Sequence, residues 1–323
     1  VMILALALLV GYLGVFIFRA LVQGRGVKIF DVVQSGAAVL IGFGSAVRIA
    51  RTAGTGEEVL GWAALAAALA GYAVAFTLVR RRLGRGRGFF YFATLALVFL
   101  LLGSRAVAQG PWLVWCWILL GLVTSVLGAR FDRVTLQAHS LVYLALGAAR
   151  SGLLPGAVGA LTGTDASLGH SPGAVLVVSL VALVFAYLAA ARQVTPETDD
   201  TPRRVIRSGL ALLAAFGLAG LAVLGLTAIL GEGRALVATV RTGVLSVAAL
   251  VLSLPGRRPE SRELGWLAYL MLLLGLAKVI VEDLRLGDPL ALFLAFGMLG
   301  SVLILVPRIL RAGRRNTGDS PNV

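Results

Sequence analysis

Residues Leu264–Arg311 read LGWLAYLMLLLGLAKVIVEDLRLGDPLALFLAFGMLGSVLILVPRILR. Two apolar segments flank a polar turn, Glu282–Asp288, with Lys278 near the end of the first and a basic cluster closing the second. At about 1.5 Å of rise per residue, each segment is long enough to cross roughly 30 Å of hydrocarbon. The stretch predicts a helical hairpin through a bilayer, and most of the chain repeats its plan.

Composition agrees. The 323 residues are 59% hydrophobic with a mean hydropathy of +0.94, well above a soluble domain, and the apolar runs need lipid rather than a core. A net charge of +14 in a soluble chain would suggest nucleic acid. Here the cations lie between apolar segments, so no nucleic-acid partner is expected. One cysteine, Cys116, cannot form an internal disulfide, and two histidines, His139 and His170, make no Cys/His cluster. Neither a metal site nor a cofactor is expected.

Outward from the quoted hairpin, the pattern predicts an all-α polytopic bundle of about eleven spans. Val1–Phe18 is the first, without a charged leader or an initial Met, as expected of a stretch that starts inside a longer chain. Five hairpins follow: Val32–Ala50 with Val59–Val79, Phe89–Ala106 with Trp112–Ala129, Val134–Leu154 with Ala174–Ala191, Val205–Leu230 with Ala235–Leu254, and Leu264–Val281 with Leu290–Leu310. Pro155–Pro172, with Asp165 and His170, reads as a long outer loop. Gln193–Arg204 is polar and divides an N-terminal bundle over 1–192 from a four-helix bundle over 205–311, with a tail over 312–323.

The connections at 19–31, 80–88, 130–133, 192–207 and 255–263, with the tail after 307, hold 21 of the 29 Lys and Arg residues. That asymmetry alternates at every crossing and assigns the basic side to the cytoplasm of a bacterial inner membrane, with the N-terminus outside and the C-terminus inside.

A short pattern recurs near the end of the first helix of four hairpins: GFGSAVR (Gly42–Arg48), LLGSR (Leu101–Arg105), LALGAAR (Leu144–Arg150) and LLLGLAK (Leu272–Lys278). Small residues close on a cation each time, which reads as an internal repeat. Arg48, Arg105, Arg150 and Lys278, with Arg241 six residues inside its own apolar run, are the candidate ligands for an anionic headgroup or solute. The alternative is a helix-end charge that favours the macrodipole and snorkels to the headgroups. Lys278 and Glu282 form an i,i+4 pair. His139, Tyr143 and Arg150, at i, i+4 and i+11, share a polar helix face with Gln137 and Ser140, for interhelical hydrogen bonds or for a ligand. Ala211, Ala215, Ala219, Gly217 and Gly220 form small-residue stripes that let helices or partner proteins approach closely. Trp62, Trp112, Trp115, Trp117 and Trp266 suit interfacial anchoring.

FDRVTLQAHSLVYLALGAARSGLL and LGWLAYLMLLLGLAKVIVEDL, with the span that follows the latter, resemble a bacterial family of large polytopic membrane proteins known only as a domain of unknown function. The resemblance implies architecture and no activity, with His139, Lys278 and Asp283 as its polar landmarks.

No catalytic residue stands out, because no carboxylate is placed deep in a span and no hydrolase or nucleotide-binding pattern occurs in a usable context. The expectation is a non-enzymatic scaffold or complex subunit that binds membrane lipids and partner proteins. A translocator of anionic lipids or solutes through the outer cations is the alternative.

Overall fold

The computed structural model describes residues 29–79, 87–108, 110–163, 173–192, 201–231 and 233–318, with scattered helical positions between 11 and 18. Most of the first expected span lies outside the described residues. So do 193–200 of the polar connection, the stretch 164–172 with Asp165 and His170, and the last residues of the tail.

All regular structure among the described residues is helical. In chain order, α1 is Ile29–Ala53, α2 is Glu57–Ala73 with a π-helical end Val74–Val79, α3 is Arg87–Val107 and α4 is Pro111–Arg130. α5 is Val134–Arg150, α6 is Leu153–Thr162, α7 is Gly173–Ala191, α8 is Thr201–Leu230 and α9 is Arg234–Gly256. α10 is Arg262–Lys278, prolonged by a π-helical segment Val279–Asp283 and a last turn Leu284–Leu286, and α11 is Pro289–Gly318. Nine of these helical stretches are long and apolar enough to cross a membrane, ten when the bent pair α5–α6 counts as one span. The chain is an all-α, multi-pass membrane bundle, and the described spans match the expected ones from Val32 onward.

Two local expectations are corrected. The first concerns Pro155, read from the sequence as the start of a loop. The helix instead bends by 65° at Ser151–Gly152 and resumes as α6. Gly152 takes the left-handed conformation (φ 88°), and the Ser151 hydroxyl accepts the Leu153 N–H at 3.3 Å. Pro155 then falls in the first turn of a new helix, where its missing N–H has no intrahelical acceptor to lose. The second concerns Glu282–Asp288, read as a turn. The helix continues through it to Leu286 and ends at Gly287, which has a φ of 67°. An amide at a positive φ is the usual way to leave a helix.

Contacts divide the chain into two compact units, Val1–Cys116 and Trp117–Val323. In the first, α3 packs against α2 and less extensively against α1, around Phe43, Tyr91, Phe92 and Phe99. Phe43 and Phe99 meet edge to face at 5.9 Å, and the buried Tyr91 hydroxyl donates to Ser35 Oγ at 3.1 Å. α2 and α3 approach so closely that a Cβ on Gly103 would stand 2.8 Å from the Gly61 carbonyl. At the α1–α2 turn, Arg51 Nε donates to Glu57 Oε1 at 3.0 Å.

In the second unit, α9 is central and packs against α10, α11 and α8. α8 in turn covers α6 and α7. α8 therefore packs against helices on the other side of the 193–204 connection, inside one unit. The tightest pairs, α2 with α3 and α9 with α10, join the second helix of one expected hairpin to the first helix of the next. Glycine decides the pairing. A Cβ on Gly256 of α9 would lie 2.4 Å from the backbone nitrogen of Gly265 in α10, an approach open only to bare backbone.

Candidate functional site

Around the end of α10 in the second unit, five polar side chains come together. The Lys278 ammonium donates to Asp283 Oδ1 at 2.5 Å, to Thr242 Oγ1 at 2.8 Å and to the Ala238 carbonyl. Thr242 donates to the other Asp283 oxygen at 3.0 Å. Glu282 stands 3.8 Å from Lys278, and Arg241 donates to it at 2.6 Å. Arg241 Nε also donates to the Ala160 carbonyl at 2.7 Å, near the end of α6. Two cations and two carboxylates thus balance inside one cluster, with Asp283 and Lys278 buried and Glu282 and Arg241 partly exposed.

The backbone explains why the acid at i+5 wins over the acid at i+4. The π-helical segment Val279–Asp283 widens the turn after Lys278, because π hydrogen bonds run from i to i+5. That widening swings Asp283 inward, while Glu282 turns toward Arg241. The i,i+4 pair read from the sequence is present at 3.8 Å, but Asp283 is the close partner. Arg241, whose partner has no sequence signal, caps the bent helix α6. Such capping suits a cation, since the last carbonyls of a helix carry partial negative charge.

The other candidate cations are placed differently. Arg48, Arg105 and Arg150 are exposed, the last two in the final turns of α3 and α5 and Arg48 more than a turn before the end of α1, whereas Lys278 is buried. The four positions of the recurring pattern therefore do not share one environment. Gln137, His139, Ser140 and Tyr143 of α5 are buried, and Ser140 donates to the Gly121 carbonyl of α4 at 2.8 Å. That face packs tightly, since Cβ atoms on Gly121 and Gly128 would strike Leu144 and Gln137. The exposed Arg150 is not part of it.

A second charged cluster escaped the sequence reading. Arg207, assigned from the sequence to a connection, lies in the second turn of α8 with a side chain only 2% exposed. Its guanidinium meets Glu263 of α10 at 3.5 Å and donates to the Glu260 carbonyl at 3.2 Å, and Tyr187 of α7 donates to Glu263 at 3.3 Å. Nearby in sequence, Arg203 pairs with Asp132 at 2.9 Å. The signal available was spacing: Arg203 and Arg207 are one helical turn apart and precede an apolar run, as expected of a helix's own first turns.

Among the described residues, no three His, Cys, Asp or Glu side chains converge as a metal site would require. The fold and the cluster define a class, a multi-pass helical membrane protein with ion-paired interior charges. No protein-family model, no curated protein and no solved structure matches the chain.

Proposed function

We propose that this protein is a non-catalytic membrane scaffold or complex subunit whose interior charges clamp helices together. The observation that carries this reading is charge matching in the second unit. Lys278 with Asp283, Arg241 with Glu282 and Arg207 with Glu263 each join a cation to an acid within the protein. The Lys278 cluster holds α6, α9 and α10 in register, the Arg207 pair joins α8 to α10, and these pairs offer no unmatched charge to a solute. In this reading Arg48, Arg105 and Arg150 contact lipid headgroups by snorkelling. Exposed apolar faces, including those with Trp62, Trp112 and Trp266, meet lipid or partner proteins. The orientation follows the basic connections, which we place in the cytoplasm of a bacterial inner membrane.

The competing reading, a translocator of an anionic lipid or solute, has one observation in its favour. A π-helical segment bearing two carboxylates faces a bent helix, and π segments recur where helices carry function.

The test is a double-substitution series at the clamp. Removing one partner of a buried ion pair costs about 3–5 kcal/mol, whereas replacing both with apolar groups is often neutral. A clamp therefore predicts a large fall in detergent melting temperature for Lys278→Met or Asp283→Leu, and recovery in the double variant. Proteoliposomes made with the wild type should move fluorescent phosphatidylglycerol between leaflets no faster than protein-free vesicles. Transbilayer movement above that background, lost in the folded K278M/D283L protein, would establish the translocator instead.

A further inference from the structure

An open groove of about 510 Å³ lies between α4 and α7, in the second unit. Val123, Val126 and Leu127 form one wall and Val178, Val181 and Phe185 the other, with Ala182 buried in its floor. Every lining residue is apolar. Valines 123, 126, 178 and 181 keep between 45% and 60% of their surface, or are half-buried, so the groove opens outward rather than into the core.

Helical register extends both walls to an arginine. From Val123, positions 126, 127 and 130 fall on one face, so that stripe ends in Arg130. From Val178, positions 181 and 185 do the same, and the stripe points on to Arg192, the turn residue just past α7, whose N–H still donates to the Leu188 carbonyl at 3.1 Å. Both arginines are exposed, and neither has an acidic partner among the described residues. The acid nearest Arg130 in sequence, Asp132, is held by Arg203, and those nearest Arg192, Glu197 and Asp199, lie outside the described residues. Spans alternate in direction, and with α5–α6 counted as one span α4 and α7 run the same way. The two arginines therefore lie on the same side of the membrane, at the end of the groove.

We propose that this groove binds an anionic phospholipid, one acyl chain lying between α4 and α7 and its phosphate held by Arg130 and Arg192. The apolar walls suit a hydrocarbon chain and nothing with a polar end inside them. The two arginines supply the charge that a zwitterionic lipid does not require, and guanidinium groups pair with phosphate through two hydrogen bonds at once. The site rests on the membrane-spanning fold and is independent of the Lys278 clamp, which lies toward the opposite ends of the helices.

Native mass spectrometry of the full chain, in detergent with equimolar phosphatidylglycerol and phosphatidylcholine, tests the proposal. Each basic residue near an anionic lipid contributes about fivefold, so the wild type should favour phosphatidylglycerol by about twenty-five-fold. Arg130→Gln with Arg192→Gln should abolish that preference, while Arg257→Gln, an exposed arginine elsewhere on the basic side, should leave it intact. Val181→Trp, which fills the groove from a lipid-facing position, should lower the occupancy of both lipids at an unchanged melting temperature. Equal retention of the two lipids by the wild type would overturn the site, as would a double arginine variant that keeps the preference. Unchanged occupancy in the Val181→Trp protein would overturn the seated chain, as would displacement of the lipid by inorganic phosphate at equal concentration.

Discussion

At the scale of single residues, glycine sorts into two kinds that composition cannot distinguish. A Cβ on Gly220 of α8 would stand 2.3 Å from the Ala157 Cα, so α6 lies directly on bare backbone there. Overpacking of that sort costs about 1–3 kcal/mol because backbone cannot rotate away. Gly220→Ala should therefore lower the detergent melting temperature measurably. Gly300 of α11 has nothing within 4 Å of its Cβ direction. Gly300→Ala should leave stability unchanged or raise it by up to about 1 kcal/mol, the helix-propensity difference. A thermal size-exclusion series on both variants checks the contrast, and an equal response would remove the packing argument.

At the scale of elements, the bend between α5 and α6 sets where the Ala160 carbonyl meets Arg241. Its pivot is Gly152, whose φ of 88° lies where L-residues are strained by about 1–2 kcal/mol. Gly152→Ala should destabilise by that amount. It should also loosen the Arg241 contact, so that Arg241→Gln destabilises less in the G152A background than in the wild type. A double-mutant cycle reads the difference, and strict additivity would mean that the bend and the clamp are uncoupled. This bend was only half legible in the sequence. Hydropathy carries the span through Ser151 and Gly152 to Leu154, but the residues from Pro155 read as a loop, because proline is a stop signal in a helix interior and a neutral residue in a first turn.

At the scale of the whole molecule, the alternation of basic and non-basic connections predicts the topology. In a Cys116→Ala background, cysteines placed at Ala53 and Gly163 should react with an impermeant maleimide in intact spheroplasts. A cysteine at Gly313 should react only after lysis, and its labelling before lysis would reverse the orientation. Cys116 itself must be removed because it is exposed. The Lys278 cluster lies at the end of α10 and the Arg207–Glu263 cluster at the starts of α8 and α10, beside the basic connections.

Hydropathy by itself determined the class, helices long and apolar enough to cross a membrane, while the starts of α6 and α8 escaped it. The class follows from a one-dimensional quantity, the length of apolar runs against bilayer thickness. Tertiary structure decided the partners. Lys278 pairs with Asp283 rather than chiefly with Glu282 because a π turn changes the register by one residue, and no side chain in VIVED announces that change. Arg207 is buried because an acid 56 positions away, Glu263, lies opposite it, and the partly exposed Arg241 turns inward because both α6 and Glu282 offer it acceptors. α9 pairs closely with α10 because Gly256 meets Gly265, a match between two bare patches of backbone that neither glycine reveals separately. Burial of a charge and close approach of backbones are properties of pairs. They became visible only once the helices were brought together.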